Sequence, residues 1–145
     1  MSELSTSTIS IDSPLATVSE LLFAFDRYPE WSSSIKAAEA LARDEYGRIT
    51  KVKMTIDAGM MKDRVTLDYD WSEAPAKVSF SLDDADVLTA MDGSYELKTI
   101  DEDTTSVTYS LTVAASIPIP AMMRQNEEKK TIDAALSQLK SALEA

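Results

Sequence analysis

The chain contains no cysteine and no histidine. Without cysteine there is no disulfide framework, no thiol nucleophile and no thiolate metal site. Without histidine the chain lacks the commonest general base and the commonest ligand for transition metals. These two absences exclude the Ser-His and Cys-His hydrolases and argue strongly against a conventional zinc site. We therefore predict that the protein holds no metal and needs no cofactor.

Basic residues are also scarce, since 14 Lys and Arg stand against 25 Asp and Glu and the net charge is −11. A surface this acidic repels phosphate backbones and anionic lipid headgroups, so we expect no nucleic-acid partner and no stable membrane association. The longest aliphatic and aromatic run, LLFAF, is too short to span a bilayer. The first residues, MSELSTSTIS, lack the features of a signal peptide. These observations predict a cytoplasmic protein.

Glycine and proline are few, with 3 and 5 residues, which argues against a fibrous or linker-rich chain. A length of 145 residues predicts a single domain over 1–145, large enough for a core of its own. The order of elements reads as a strand, a short helix, a corner, several strands and a long helix. The short helix is expected to end near residues 26–28, because Pro29 disfavours helical geometry in the residue before it. The long helix is expected over about 120–144.

Between about residues 39 and 114, apolar residues alternate with polar ones, which predicts strands. Turn-forming clusters separate these strands, so we predict an antiparallel meander of about six strands with one buried face. The inward positions carry aromatic, Met and aliphatic residues, whereas the charged residues fall on the opposite face. An unpaired buried charge would cost several kcal/mol, so the interior should be apolar, with scattered phenols and indoles. This alternation leaves open whether the interior is a solid core or an apolar pocket.

Several motifs, in order, resemble one known superfamily. The segment ISIDSPLATVSELLFAFDRYPEWSSSIKAAEAL resembles the start of the START-like, or SRPBCC, superfamily, above all its polyketide cyclase/dehydrase and coenzyme Q-binding branch. Its corner is matched by Asp26, Tyr28, Pro29 and Trp31, with one residue fewer after the Asp than the pattern has. Farther on, DGSYEL resembles a strand of the superfamily, and IPIPAMMRQ is similar to the loop that enters its last helix. The resemblance covers nearly the whole chain.

The resemblance implies an α+β helix-grip fold. In this fold a curved antiparallel sheet wraps around a long C-terminal helix, two short helices follow the first strand, and an apolar tunnel lies between sheet and helix. The corner would then close one end of the tunnel. Tyr28 and Trp31 are interpreted as mainly architectural, with a place for Trp31 in the tunnel wall as the alternative.

Candidate site residues follow from the inward face of the strands and from the resemblance; no catalytic residue is predicted. The predicted cavity lining consists of Trp31, Met54, Tyr69, Trp71, Phe80, Tyr95 and Tyr109. The predicted cavity rim consists of Met60, Met61, Ile119, Met122 and Met123. For the lining residues the alternative is ordinary core packing. For the rim the alternatives are a hairpin tip folded onto the domain or a contact in a homodimer.

The function that these expectations favour is the binding of a small hydrophobic ligand, such as a lipid, quinone or polyketide-like molecule, by a carrier or sensor. One alternative is an enzyme of the polyketide cyclase or aromatase type. Such an enzyme would fold a reactive chain within the same cavity, so that proximity supplies most of the catalysis. A second alternative is a protein-interaction module that has no ligand. The strands offer no inward pair of acids for general acid–base catalysis, which favours binding over an enzyme.

Overall fold

The structure, a computed structural model, describes residues 5–58, 61–115 and 119–144. Seven strands form one antiparallel sheet in the order β1-β7-β6-β5-β4-β3-β2. The strands are β1 (Ser5–Ile11), β2 (Ile35–Arg43), β3 (Ile49–Ala58), β4 (Met61–Asp70), β5 (Lys77–Ala85), β6 (Leu88–Asp101) and β7 (Thr104–Ala115). The helices are α1 (Leu15–Leu22), a 3-10 helix (Phe25–Glu30) and α2 (Ala121–Glu144).

The predicted α+β helix-grip architecture is confirmed. Strands β2 to β7 follow one another as antiparallel neighbours, and β1 pairs with β7, so β1 and β2 are the two ends of the sheet. α2 packs mainly on β1 and β7, whereas the 3-10 helix packs on β2 and β3. The two ends of the sheet are therefore packed against different helices, and the middle strands lie between these two contact regions. No helical segment among the described ranges combines the length and the hydrophobicity that a bilayer crossing requires.

The first helix is shorter than predicted, because α1 ends at Leu22 and the chain then forms the separate 3-10 helix that contains Pro29. The break turns Phe25 onto the sheet, where its fully buried ring stacks on Tyr69 with 3.7 Å between ring centroids. It also places the Tyr28 hydroxyl 2.6 Å from the carbonyl oxygen of Leu22, to which it donates a hydrogen bond. Helix ends leave carbonyl groups without partners. The Tyr28 hydroxyl is the hydrogen-bond partner of such a carbonyl, that of Leu22 at the end of α1. The corner therefore stabilises the short helix.

Replacing Tyr28 with Phe removes this hydrogen bond and leaves the shape of the ring. We expect the free energy of unfolding to fall by about 1–2 kcal/mol, because a buried acceptor loses its partner. Urea denaturation followed by circular dichroism measures this change. Tyr46→Phe is the matched control, since Tyr46 is 74% exposed and its hydroxyl group can bond to water. Equal stability of the two variants would show that the Tyr28 hydroxyl does not secure α1.

Because Gly93 has no side chain, the ring of Phe80 can pack directly against the backbone of β6. Phe80 of β5 stands opposite Gly93 of β6. A Cβ atom at position 93 would meet the Ser110 carbonyl oxygen and would lie 2.7 Å from Cζ of Phe80. Any residue larger than glycine would therefore displace both the Phe80 ring and β7. Glycine at this position fixes where the Phe80 ring can lie.

The outer strand β2 pairs irregularly with β3. Its register shifts between Ile35 and Ala37 and again between Ala40 and Ala42. Such bulges bend a strand and increase its local twist. β2 therefore presents a distorted outer edge, rather than a straight row of backbone groups.

The inward face of α2 carries a buried acid. Its buried residues are Glu128, Ile132, Leu136 and Leu139, and the Glu128 side chain is fully inaccessible to solvent. Three donors lie 2.7 Å from its carboxylate oxygens: the Ser5 hydroxyl, the Val113 backbone N–H and the Arg124 guanidinium. The carboxylate is therefore paired and hydrogen-bonded, as a buried charge must be. It joins α2 to both β1 and β7.

Candidate functional site

A cavity of about 50 Å³ lies over the middle of the sheet, between the 3-10 helix and α2. The segment 28–35 forms one wall, the inner face of β3 to β7 forms the floor, and α2 forms the opposite wall. The lining residues are Tyr28, Trp31, Ser32, Ser34, Ile35, Met54, Ile56, Leu67, Tyr69, Phe80, Met91, Tyr95, Tyr109, Thr131 and Ala135. Residues of the sheet, of the 28–35 segment and of α2 therefore meet around the cavity, whereas none of its described lining residues belongs to α1.

The structure brings six of the seven predicted lining residues together around this cavity: Trp31, Met54, Tyr69, Phe80, Tyr95 and Tyr109. Their role in ligand binding remains a prediction. Their convergence follows from strand alternation, since successive residues of a strand point to opposite faces of the sheet.

Trp71 was also predicted to line the cavity, and this prediction is wrong. Its indole N–H donates to the Ile49 carbonyl oxygen at 2.7 Å, and its ring packs edge-on against Phe23 and Phe25. It lines a separate surface depression instead. β4 ends at Asp70, so strand alternation no longer fixes the direction of the next side chain.

The predicted rim is not found at the cavity. Met122 and Met123 are 74% and 47% exposed, Ile119 is exposed as well, and none of the three lines the cavity. The inward stripe of α2 runs through Glu128 and Ile132, and both methionines lie off that stripe. Met60 lies outside the described residues, as does the side chain of Met61.

Several lining residues were not predicted from the sequence. Tyr28 was interpreted as architectural, yet it both secures α1 and lines the cavity. Thr131 and Ala135 lie four positions apart on α2, each directly before a buried residue of the inward stripe. That helical spacing was the available signal for them. Ser32 and Ser34 lie in an irregular segment, where no periodicity marks the inward face.

The cavity wall is uncharged but polar in places. The described residues that line it include no Asp, Glu, Lys or Arg. Burial, to which neighbouring phenols add, raises the pKa of Tyr69, Tyr95 and Tyr109 well above the ordinary value for tyrosine. These hydroxyl groups therefore stay protonated at neutral pH and can both donate and accept hydrogen bonds. The Tyr95 and Tyr109 rings stack with 4.5 Å between centroids, so they form one aromatic surface.

Trp31 holds a donor without a partner. Its ring packs against Tyr28, with 4.7 Å between centroids. Its indole Nε1 is buried and has no hydrogen-bond partner among the described residues. Buried polar groups nearly always have a hydrogen-bond partner, so an exception on a cavity wall is a candidate contact for a ligand.

The segment 31–35 and α2 supply the less buried part of the cavity lining. Trp31, Ser34, Thr131 and Ala135 are only partly buried, unlike the aromatic residues of the floor. Two hydrogen bonds join the same two walls nearby: the Ser33 N–H donates to Gln138 Oε1 at 2.9 Å, and Gln138 Nε2 donates to the Ser33 hydroxyl at 2.7 Å. This pair holds the 31–35 segment against α2, beside these partly buried lining residues.

The volume limits what the cavity holds in this conformation. An engineered cavity of roughly 150 Å³ in another protein binds benzene, and one water molecule occupies about 30 Å³ of liquid. At about 50 Å³, this cavity has room for one or two water molecules. A larger guest requires the walls to move. Met54 and Met91 in the lining are flexible side chains that suit such adjustment.

The sequence matches a family described as polyketide cyclase / dehydrase and lipid transport, over residues 4–144. The protein belongs to this family. The superfamily resemblance seen in the sequence is thereby confirmed, and members of this family bind hydrophobic ligands or act as polyketide cyclases. No curated protein matches the chain.

Solved structures show how far the family fold is shared. A START superfamily protein from Mycobacterium smegmatis superposes with a TM-score of 0.92 at 19% identity, over 99% of this chain and 98% of that one. A protein from Thermus thermophilus gives 0.82 at 17% identity, over 97% of both chains. The Zhui aromatase/cyclase from Streptomyces sp. R1128 gives 0.75 at 15% identity, over 98% of this chain and 93% of that one. At these identities, the likeness is one of fold.

Proposed function

We propose that the protein binds a small hydrophobic molecule, such as a lipid, quinone or polyketide-like compound, in the cavity between the sheet and α2. The observation that carries this proposal is the composition of the wall. Most of its described residues are aromatic, aliphatic or methionine, and the polar side-chain groups among them are neutral hydroxyls and one indole N–H. Such a lining of apolar surface with a few polar groups is typical of small-molecule sites.

A role as carrier or sensor fits this wall better than catalysis. General acid–base catalysis needs groups whose pKa values lie near the working pH. The cavity offers phenols with raised pKa values, and no carboxylate lies among its described lining residues. Glu128 is buried, but it is fully engaged with three donors and does not line the cavity. We therefore favour binding without chemistry.

Native mass spectrometry of the gently purified protein tests the proposal. We expect a mass excess over the polypeptide that disappears on denaturation, followed by recovery of a hydrophobic compound in an organic extract. Ala135→Phe places a ring in the cavity from its α2 wall, so we expect at least a tenfold loss of the bound fraction. Ala134→Phe is the matched control, because Ala134 is the neighbouring residue and does not line the cavity.

Three outcomes would contradict the proposal or redirect it. A guest that stays bound in Ala135→Phe as in the wild type would place the binding site elsewhere. A protein that carries no compound and binds no apolar probe would favour the interaction module. A compound that leaves the protein chemically altered would favour the cyclase alternative.

A further inference from the structure

A guest larger than water requires the boundary of the cavity to move, because the cavity volume is only about 50 Å³. The floor is unsuited to such movement, because backbone pairing joins its strands β3 to β7. Movement is therefore expected between the two walls that stand on the sheet. One is the corner wall, which we define as residues 28–35, and the other is α2.

The two walls stand on opposite ends of the sheet. The 3-10 helix packs on β2 and β3, whereas α2 packs mainly on β1 and β7. The corner wall is also bonded to its own side of the fold. Within it, the Ser32 N–H donates to the Tyr28 carbonyl oxygen at 2.8 Å, and the Asp57 N–H of β3 donates to this wall at the same distance. Each wall can therefore keep its own attachment while the distance between the walls changes.

A single pair of side chains joins the walls by hydrogen bonds. The Ser33 N–H donates to Gln138 Oε1 at 2.9 Å, and Gln138 Nε2 donates to the Ser33 hydroxyl at 2.7 Å. In the part of the chain that the structure describes, no other hydrogen bond joins the corner wall to α2. Both bonds use the same glutamine amide, so rotation of that one side chain releases them together.

The burial of the lining points to the same place. Every lining residue on the floor is buried. The partly buried lining residues all belong to the two walls: Trp31, Ser34, Ile35, Thr131 and Ala135. The shortest way from solvent to the floor therefore lies between the corner wall and α2.

We propose that the corner wall and α2 form a gate over the cavity, and that the Ser33–Gln138 pair is its latch. This inference rests on the proposed function, since it names the route by which a guest reaches the same cavity. The structure corresponds to the closed state, in which the latch joins the walls and the cavity is small. When the Gln138 amide turns away from Ser33, the walls separate and a guest passes between them to the floor.

Cross-linking the walls tests this inference, and the absence of native cysteine makes the chemistry specific. In Ser33→Cys/Gln138→Cys, a bis-methanethiosulfonate reagent with an ethylene spacer bridges the two thiols, and a reductant removes the bridge. The spacer replaces the length that the glutamine side chain loses. Stopped-flow fluorescence follows binding of the neutral probe N-phenyl-1-naphthylamine. We expect the bridge to slow association about tenfold or more, because binding then lacks its conformational step, and the reductant to restore the rate.

Two controls separate the effect of the bridge from that of the substitutions. The same double variant treated with methyl methanethiosulfonate carries both adducts without a bridge, and it should bind the probe no more slowly than the wild type. Thr8→Cys/Thr108→Cys places the same bridge between β1 and β7, where the native hydroxyls lie 2.8 Å apart and neither residue lines the cavity. That bridge should leave association unchanged.

Thiol labelling tests the gate without any ligand. Met54 is a buried residue of the floor, so the thiol of Met54→Cys is reached through the cavity. We expect Gln138→Ala to raise the rate of its labelling by methyl methanethiosulfonate about tenfold, because the latch bonds are lost. Ser137→Ala, at the exposed neighbouring position, should leave the rate unchanged. Val107→Cys, fully buried outside the lining, reports global unfolding, and Gln138→Ala should not accelerate its labelling.

The outcomes separate this inference from the proposed function. If the probe does not bind the wild type, while Gln138→Ala accelerates the labelling of Met54→Cys alone, the gate stands and the binding proposal fails. If the probe binds the wild type and is blocked by Ala135→Phe, but the bridged variant binds it at the wild-type rate, the binding proposal stands and the gate is wrong. If Gln138→Ala accelerates labelling at neither buried site, or at both equally, the Ser33–Gln138 pair is not a latch.

Discussion

Gly93→Ala is expected to lower the free energy of unfolding by about 3 kcal/mol, the upper part of the range for overpacked sites. The melting temperature should fall by roughly 10 °C for a domain of this size. The added methyl group would collide with the Ser110 carbonyl oxygen, which is backbone and part of the β6–β7 ladder. It would also lie 2.7 Å from Cζ of Phe80. Relief therefore requires β7 to shift and the Phe80 ring to move within the cavity floor.

Gly47→Ala is the matched control for this experiment. Gly47 has φ of +81°, and a Cβ atom there would have no neighbour within 4 Å. Alanine at this position bears only the cost of left-handed backbone, about 1–2 kcal/mol. Thermal and urea denaturation of the two variants compare a packing clash with backbone strain. If Gly93→Ala is no less stable than Gly47→Ala, then the close approach of Phe80 and β7 does not restrict position 93.

Glu128→Ala is expected to cost about 3–5 kcal/mol, which is typical of removing one partner of a buried ion pair. The substitution leaves the Arg124 guanidinium, whose side chain is 16% exposed, without its carboxylate. It also deprives the Val113 N–H and the Ser5 hydroxyl of their acceptor. Because these donors lie on β7 and β1, the first half of α2 should lose its attachment to the sheet. Hydrogen exchange of the α2 amides would report this together with the drop in melting temperature.

The neighbouring acid provides the control. Glu127 pairs with Lys130 at 3.7 Å, and the Lys130 side chain is 77% exposed. Exposed pairs of this kind contribute less than about 1 kcal/mol, so Glu127→Ala should be nearly neutral. A similar small effect for Glu128→Ala would mean that the carboxylate is dispensable for holding α2 on the sheet.

The sequence was informative wherever a side chain obeys a periodic rule. Strand alternation placed Met54, Tyr69 and Phe80 on the inner face, and the structure brings them to one cavity. The same rule failed at Trp71, one residue beyond the end of β4. It also gave no information on Ser32 and Ser34, which lie between regular elements. Side-chain direction outside strands and helices depends on tertiary contacts that periodicity does not encode.

The cavity volume and the burial of Glu128 could not be predicted from the sequence, because both depend on contacts between distant segments. The volume left over the sheet depends on how the Tyr95 and Tyr109 rings pack, and alternation reads the same for a filled and an empty interior. Glu128 is charged, yet it is buried because donors from three separate segments converge on it. No local pattern reveals such a convergence. The missing partner of Trp31 Nε1 likewise appears only when all neighbours are in place.

The irregular pairing of β2 has a consequence for solubility. An outermost strand with a straight, unpaired row of N–H and C=O groups is a template for pairing with another molecule, the first step towards aggregation. Because β2 shifts register repeatedly along its length, its free side offers no long regular row. Lys36, Glu39 and Arg43 add charge along the same strand. The β2 edge of the sheet is therefore poorly suited to pairing with a strand of another molecule.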